Sequence, residues 1–103
     1  MIVRIAEIQV DRSQLEEYLK QARTVGAESV SKEPGVIAIF PMVEKRNPEQ
    51  IRIVEIYKNE EAYKAHLQTP HFLKYKTSTL SMVKKLDLVD MTPFDEQAMP
   101  LIF

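Results

Sequence analysis

The chain has 103 residues, 14 basic and 15 acidic, with a formal net charge of −1. Hydrophobic residues make up 45% of it and charged residues 28%, a composition typical of one soluble globular domain with its own core. Nothing in the balanced charge indicates the basic surface that nucleic-acid binding requires, and no apolar run is long enough to cross a bilayer. We therefore expect neither a nucleic acid nor a membrane as a partner.

Cysteine and glycine usage narrows the chemistry further. The absence of Cys excludes thiol nucleophiles, iron–sulfur clusters and Cys-type zinc sites. With only two Gly, the chain has no glycine-rich loop for phosphates or dinucleotides. The first residues have the pattern of a strand and not of a signal peptide, which together with the lack of Cys predicts a cytoplasmic protein.

The first predicted element is a strand over residues 2–10, whose apolar side chains occupy positions of both parities and therefore both faces. Ser13 and Glu16 have the spacing of a capping box, which predicts that a helix begins there. Apolar residues at helical spacing carry this helix to about Lys32, and Glu33-Pro34-Gly35 predicts the turn that follows.

Two further strands are predicted at residues 36–43 and 51–57, joined by a polar loop over residues 45–49. Both strands are again apolar at both parities. Within the second, Glu55 and Tyr57 share a face because side chains alternate along a strand.

Two helices and a last strand complete the pattern. Asn59 is a suitable cap for a short helix through Leu67, and Thr69-Pro70 predicts the start of another that runs to about Met82. Residues 86–91 predict a fourth strand. The apolar tail, 99–103, either crosses onto a partner subunit or folds back on its own.

The element order β-α-β-β-α-α-β predicts an α+β ferredoxin-like fold, a four-stranded antiparallel sheet with helices on one face, as a single domain over residues 1–103. The helices can cover only one face, yet both faces are apolar. Burial of apolar surface is worth about 25 cal/mol per Å², so an exposed second face would lose much of the stability of such a small domain. We therefore expect a homodimer formed sheet against sheet about a two-fold axis, a dimeric α/β barrel.

Three side chains are candidates for catalysis. His66 shares a helical stripe with apolar residues, so it faces the core side and is either a catalytic group or a hydrogen-bonded core histidine. His71 lies in the first turn of the next helix, where the dipole favours the neutral imidazole, or it is a surface residue. Glu55 is a carboxylate in an apolar strand and must find a partner, catalytic or structural.

Aromatic side chains near these groups suit the walls of a pocket for a planar small-molecule substrate, and they equally suit a core. The candidates for substrate binding are Tyr57, Tyr63 and Phe72. Two histidines without a suitable spacing or an adjacent acidic cluster do not form a recognisable metal motif. We therefore predict no metal site and no bound cofactor.

The segment from Glu55 to Phe72 carries a family resemblance. Its strand ends in Glu55-Ile56-Tyr57, an acidic helix start follows, and it closes with His66-Leu67-Gln68-Thr69-Pro70-His71-Phe72. This pattern resembles the antibiotic biosynthesis monooxygenase family, and the earlier Pro34-Gly35 and the late Met99-Pro100 also match. The resemblance implies a dimeric ferredoxin-like fold.

The resemblance leaves the reaction open, because the family is functionally mixed. One branch oxidises quinols or polycyclic phenols with dioxygen and no cofactor, and a haem-degrading branch is less similar because this chain has no Trp. In a third, the phospho-autoinducer isomerases, the Glu-x-Tyr and Thr-Pro-His segments look most like those of this chain. Three hypotheses follow: a cofactor-independent monooxygenase of a quinol-like or phenolic molecule, an isomerase of a small phosphorylated dione, or a non-catalytic dimeric ligand-binding domain.

Overall fold

A computed structural model describes residues 1–95 and residue 97 of the chain. The predicted apolar tail, 99–103, lies outside the described residues. Short 3-10 turns at Arg12–Gln14 and Leu80–Met82 precede the first helix and the last strand. The main elements are β1 Ile2–Val10, α1 Leu15–Lys32, β2 Val36–Val43, β3 Gln50–Tyr57, α2 Glu60–His66, α3 Pro70–Thr79 and β4 Val83–Met91.

The four strands form one sheet in the order β2-β3-β1-β4, and every neighbouring pair is antiparallel. The two central strands, β1 and β3, are adjacent although α1 and β2 separate them in sequence. The order β-α-β-β-α-α-β and this strand order confirm the predicted α+β ferredoxin-like fold.

One face of the sheet packs against the helices and holds the core. Ala6 of β1 pairs with Ile53 of β3, and both are buried together with Tyr18 and Ala22 of α1. The hydroxyl groups of Tyr18 and Tyr75 lie 2.6 Å apart, which satisfies the polar ends of two side chains inside an apolar contact. This contact joins α1 to α3 above the sheet.

The opposite face of the sheet carries a second set of apolar side chains. The strand registers place Ile5 beside Val54 and Val89, and Val54 beside Phe40, so these four form one cross-strand row. Phe40 is 61% exposed and Met91 is 49% exposed. The second apolar face that the sequence predicted is therefore present and open in the single chain.

The predicted capping box at Ser13 and Glu16 is wrong. The carboxylate of Asp11 accepts hydrogen bonds from the backbone N–H of Ser13 at 2.9 Å and from its hydroxyl at 2.6 Å, and so caps the 3-10 turn. The helix α1 then begins at Leu15 without a side-chain cap. Asp11 competes successfully because its carboxylate is the stronger acceptor at a chain reversal.

The last helix and strand also differ from the predicted bounds. The α-helix ends at Thr79 instead of near Met82, since the following three residues tighten into a 3-10 turn. The strand β4 starts at Val83 instead of Leu86, where Val83 pairs with Val10 after a shift in register. No helix of the described residues has the length and the apolar character needed to cross a membrane.

Candidate active site

A cavity of about 610 Å³ lies between the helix-covered face of the sheet and the helices α2 and α3. Most of its walls are aliphatic or aromatic, with few polar groups among them. It is lined by Arg4, Ala6, Ile8, Val25, Ile39, Ile53, Glu55, Tyr57, Tyr63, His66, Leu67, Gln68, Phe72, Leu73, Tyr75, Lys76, Thr79, Leu80, Val83, Leu86 and Leu88. A space of this size and character suits a small aromatic molecule.

Strand β3 contributes Glu55 and Tyr57 to the cavity, so the face that they share is the one that the helices cover. The Tyr57 hydroxyl donates a hydrogen bond of 2.8 Å to the Glu55 carboxylate. Burial raises the pKa of Glu55 above its ordinary value, although the hydrogen bond from Tyr57 and the charge of Arg4 oppose the shift. Burial and the adjacent Glu55 also raise the pKa of Tyr57, which therefore stays protonated.

Helix α2 contributes Tyr63 and His66. The Asn59 side chain accepts a hydrogen bond from the backbone N–H of Ala62 at 2.8 Å and so caps this helix, as predicted. Arg4 donates a hydrogen bond of 2.6 Å to the Tyr63 hydroxyl, and its guanidinium carbon lies 4.6 Å from the centre of that ring.

The Tyr63 ring meets the ring of Tyr57 edge to face at 5.2 Å. Arg4 is itself fixed from outside the cavity, since its Nε donates to Asp90 at 2.9 Å. Contacts from Asp90 on β4 through Arg4 on β1 to Tyr63 on α2 thus hold the polar side chains of the cavity in place.

The two histidines meet at one carboxylate oxygen. The Oε2 atom of Glu33 lies 2.9 Å from Nδ1 of His66 and 2.6 Å from Nε2 of His71. The side chains of Glu33, His66 and His71 are only 12%, 5% and 8% exposed. We call these three residues the His–Glu cluster.

Glu33 was missed by the sequence argument, which treated it only as part of a turn before β2. The turn is present: the backbone N–H of Val36 donates to the Glu33 carbonyl at 3.1 Å, and the N–H of Lys58 donates to the Gly35 carbonyl at 2.9 Å. A Cβ atom on Gly35 would lie 2.5 Å from the Cβ of Ala62. Because Gly35 has no side chain, the turn approaches α2 closely enough for Glu33 to reach His66.

Helix α3 brings His71 to the cluster. The Thr69 side-chain oxygen accepts a hydrogen bond from the N–H of Phe72 at 3.3 Å, and Pro70 occupies the first helical turn, as predicted. Phe72 packs against His66 with ring centres 4.9 Å apart. His71 contacts Glu33 and does not line the cavity.

Glu33 contacts one of the two ring nitrogens of His66, the Nδ1 atom. Among the described residues, every buried side-chain nitrogen or oxygen has a hydrogen-bond partner. His66 Nε2 forms no such bond with the described part of the chain, so it is not sealed in the interior, and the His66 side chain lines the cavity. Five of the six predicted site residues therefore surround one space, and His71 lies behind it.

The donor atoms of the His–Glu cluster lie within 4.8 Å of one another, close enough for one metal ion to bridge them after small movements. The contacts have another explanation, because a carboxylate flanked by two N–H donors is already satisfied. Nothing in the geometry of the described residues requires a metal ion.

Comparison with known proteins identifies the family of this fold. Residues 1–78 match the family model of the antibiotic biosynthesis monooxygenases. The chain belongs to this family. The fold described above is shared with solved members of the family.

Three solved structures illustrate the similarity. A predicted antibiotic biosynthesis monooxygenase from Bacteroides thetaiotaomicron is 44% identical, with a TM-score of 0.90, over 91% of this chain and 90% of that one. A predicted monooxygenase from Lactobacillus acidophilus is 27% identical, with a TM-score of 0.86, over 88% of this chain but only 43% of that longer one. A predicted family member from Nitrosomonas europaea is 21% identical, with a TM-score of 0.87, over 92% of this chain and the whole of that one, and shows the fold alone. No curated protein matches the chain significantly.

Proposed function

We propose that the protein is a cofactor-independent monooxygenase that oxidises a quinol-like or phenolic small molecule with dioxygen. The observation that carries the proposal is the position of His66, whose side chain lines an apolar, aromatic cavity of about 610 Å³ and whose Nε2 forms no hydrogen bond with the described part of the chain. A phenolic substrate needs a base to remove its proton and an apolar space for its ring. This cavity supplies both.

The reaction begins with the transfer of the phenolic proton to Nε2 of His66. The resulting anion is electron-rich and reduces dioxygen without help from a metal or a flavin. For a quinol, one oxygen atom enters the ring and the other leaves as water, so quinol and dioxygen give a hydroxyquinone and water. The substrate supplies all four electrons that dioxygen takes up.

Glu55 is the second group that handles protons in this proposal. Its pKa is raised by burial, so it holds a proton more readily than an exposed glutamate and can return one to a reduced oxygen intermediate. Tyr57, Tyr63 and Phe72 form aromatic walls against which a planar ring can stack. His71 supports the site from behind the cavity and does not touch the substrate.

We also propose that the working enzyme is a homodimer. The open sheet face bears a continuous apolar surface that includes Phe40, Ile5, Val54 and Val89. An identical surface on a second copy covers it by two-fold symmetry and leaves the cavities on the outer, helix-covered sides.

The isomerase alternative needs a place for a phosphate, and the sequence suggested the start of α3. At that helix start the Thr69 side chain already bonds the N–H of Phe72, and His71 points to the carboxylate of Glu33. A negative charge beside the helix start opposes the binding of a phosphate. The monooxygenase therefore fits the described site better.

The test is dioxygen uptake by metal-free, flavin-free protein over a panel of quinols and polycyclic phenols, with chelator present. We expect that one dioxygen is consumed per substrate and that the product is a hydroxylated quinone. An assay with catalase should detect little hydrogen peroxide. Turnover of phosphorylated diones without oxygen uptake would favour the isomerase instead. Tight binding of ligands without any turnover would favour the binding domain.

A further inference from the structure

We infer that Glu33 is a positioning residue that fixes the ring tautomer and the orientation of His66, and that His71 holds Glu33 in place for this task. The inference deepens the proposed function, since it rests on His66 as the base. No sequence motif marks Glu33 for this role. It emerges from the fold, which brings the α1–β2 turn against the end of α2.

An ionised carboxylate can only accept hydrogen bonds. Glu33 Oε2 lies 2.9 Å from Nδ1 of His66, so that nitrogen carries the hydrogen. A neutral imidazole has one N–H, and its Nε2 is then left with a free lone pair. The His66 side chain lines the cavity, so this lone pair is the one available to take up the substrate's proton.

A positive charge forms on the His66 ring during the proposed reaction. When His66 accepts a proton it becomes an imidazolium whose Nδ1 is 2.9 Å from a carboxylate with only 12% exposure. Attraction between opposite charges is stronger where water is excluded, so Glu33 stabilises the protonated base. A carboxylate that orients and stabilises a histidine base in this way is a recurring device of acid–base catalysis.

His71 provides a second hydrogen-bond donor to Glu33. A buried carboxylate with one neutral donor is poorly compensated, and a second donor reduces the cost of burying it. His71 Nε2 lies 2.6 Å from the same oxygen, which fixes that nitrogen as a donor too. Two donors on one oxygen hold the Glu33 carboxylate aimed at His66.

Several other ionisable groups lie near the His66 ring. The ring of Tyr57 lies 5.3 Å from the His66 ring, and the Tyr57 hydroxyl is bonded to Glu55. The ionisable groups that face His66 from the elements packed against it are Glu33 before β2, His71 on α3, and Glu55 and Tyr57 on β3. Of these, Glu33 is the carboxylate that bonds the ring directly.

The direct test is ¹⁵N NMR of the two imidazole rings in the full chain. Only two histidines are present, so His71→Gln assigns both ring signals. We expect neutral His66 to carry its hydrogen on Nδ1, and Glu33→Gln to shift it wholly or partly to Nε2. A ring with its hydrogen on Nε2 in the unsubstituted protein would overturn the inference, and so would a tautomer unaffected by Glu33→Gln.

Kinetics give the second readout, with exposed Glu61 on α2 as the matched control. Glu33→Gln should lower kcat at least about tenfold with little change in KM, because the substrate does not touch Glu33. Glu33→Asp should recover part of kcat, and Glu61→Gln should leave both constants unchanged. An unchanged kcat in a folded Glu33→Gln protein would contradict the positioning role.

The two readouts separate this inference from the function on which it rests. The NMR measurement needs no substrate, so a tautomer fixed by Glu33 in a protein that consumes no dioxygen would keep the positioning role and reject the monooxygenase. Oxygen uptake by a protein in which Glu33 does not fix the His66 tautomer would keep the monooxygenase and reject the positioning role.

Discussion

Gly35 packs against Ala62 so closely that a methyl group on Gly35 would lie 2.5 Å from the Ala62 Cβ atom. This contact joins the turn before β2 to the first half of α2. Gly35 is two residues from Glu33, and Ala62 is four residues from His66. Their contact therefore controls the distance between the Glu33 carboxylate and the His66 imidazole that it bonds. The glycine is required by space, since no positive φ occurs at either Gly of the chain.

The first prediction is that Gly35→Ala destabilises the protein by about 1–3 kcal/mol, the usual cost of forcing a methyl group into a packed contact. It should also separate Glu33 from His66 and lower kcat. Ala62→Gly alone should cost about 1 kcal/mol as a glycine in a helix. In the double variant the added methyl has room, so the loss of stability should be smaller than the sum of the single losses. Urea denaturation of the four proteins measures this coupling, and strict additivity would contradict the packing argument.

The sequence predicted the fold well, because hydrophobic periodicity and turn residues encode it locally. The pattern around Asn59 and Thr69-Pro70 was correct since each cap bonds an amide within three residues. The capping box failed because Asp11, two residues before Ser13, is a better acceptor than a serine hydroxyl. Local competition of this kind is not visible in spacing alone.

The candidate site was predicted only in part, for a reason of distance along the chain. Glu55, Tyr57, Tyr63, His66 and Phe72 lie within one stretch of sequence, and strand and helix periodicity brings them to one cavity. Glu33 is 33 residues before His66 and approaches it only because Gly35 packs against α2. No spacing rule connects such residues, so the cluster required the folded chain.

The second prediction concerns the open face of the sheet. Phe40 is 61% exposed in the single chain, so Phe40→Asp should leave the monomer's fold intact and place a charge in the dimer interface. Sedimentation should give twice 12.0 kDa for the unsubstituted protein at micromolar concentration and a single 12.0 kDa chain for the variant. Val30→Asp, at a 48% exposed apolar residue on α1, is the control and should remain dimeric. A monomeric unsubstituted protein would reject the dimer.

The third prediction follows from Glu55, whose pKa is raised by burial. A group that is protonated more readily in the folded state adds stability below its unfolded pKa and loses that contribution as pH rises through its folded pKa. The stability of the unsubstituted protein relative to Glu55→Gln should therefore decline as pH rises above the ordinary value of 4.5 and become constant once Glu55 is ionised in the folded state. Denaturation curves across this window measure the difference. Parallel stability profiles for the two proteins would show that Glu55 titrates normally.

The last prediction separates the two histidines, which the sequence alone treated as equivalent candidates. His66→Asn keeps an amide donor near the position of Nδ1, so the bond to Glu33 can survive, but it has no nitrogen that faces the cavity as a base. Loss of a general base typically costs about a hundredfold to ten-thousandfold, so kcat/KM for a quinol substrate should fall into that range.

His71→Gln is the matched substitution at the second position. Its amide can reach the place of Nε2 and still donate to Glu33, so kcat/KM should stay within about threefold of the unsubstituted value. His71→Ala removes the donor, leaves Glu33 with one partner, and should lower kcat without raising KM. Melting temperatures establish that each variant is folded. Full activity in a folded His66→Asn protein would remove His66 as the base, whereas an equal loss in His66→Asn and His71→Gln would place both rings in contact with the substrate, contrary to the position of His71 behind the cavity.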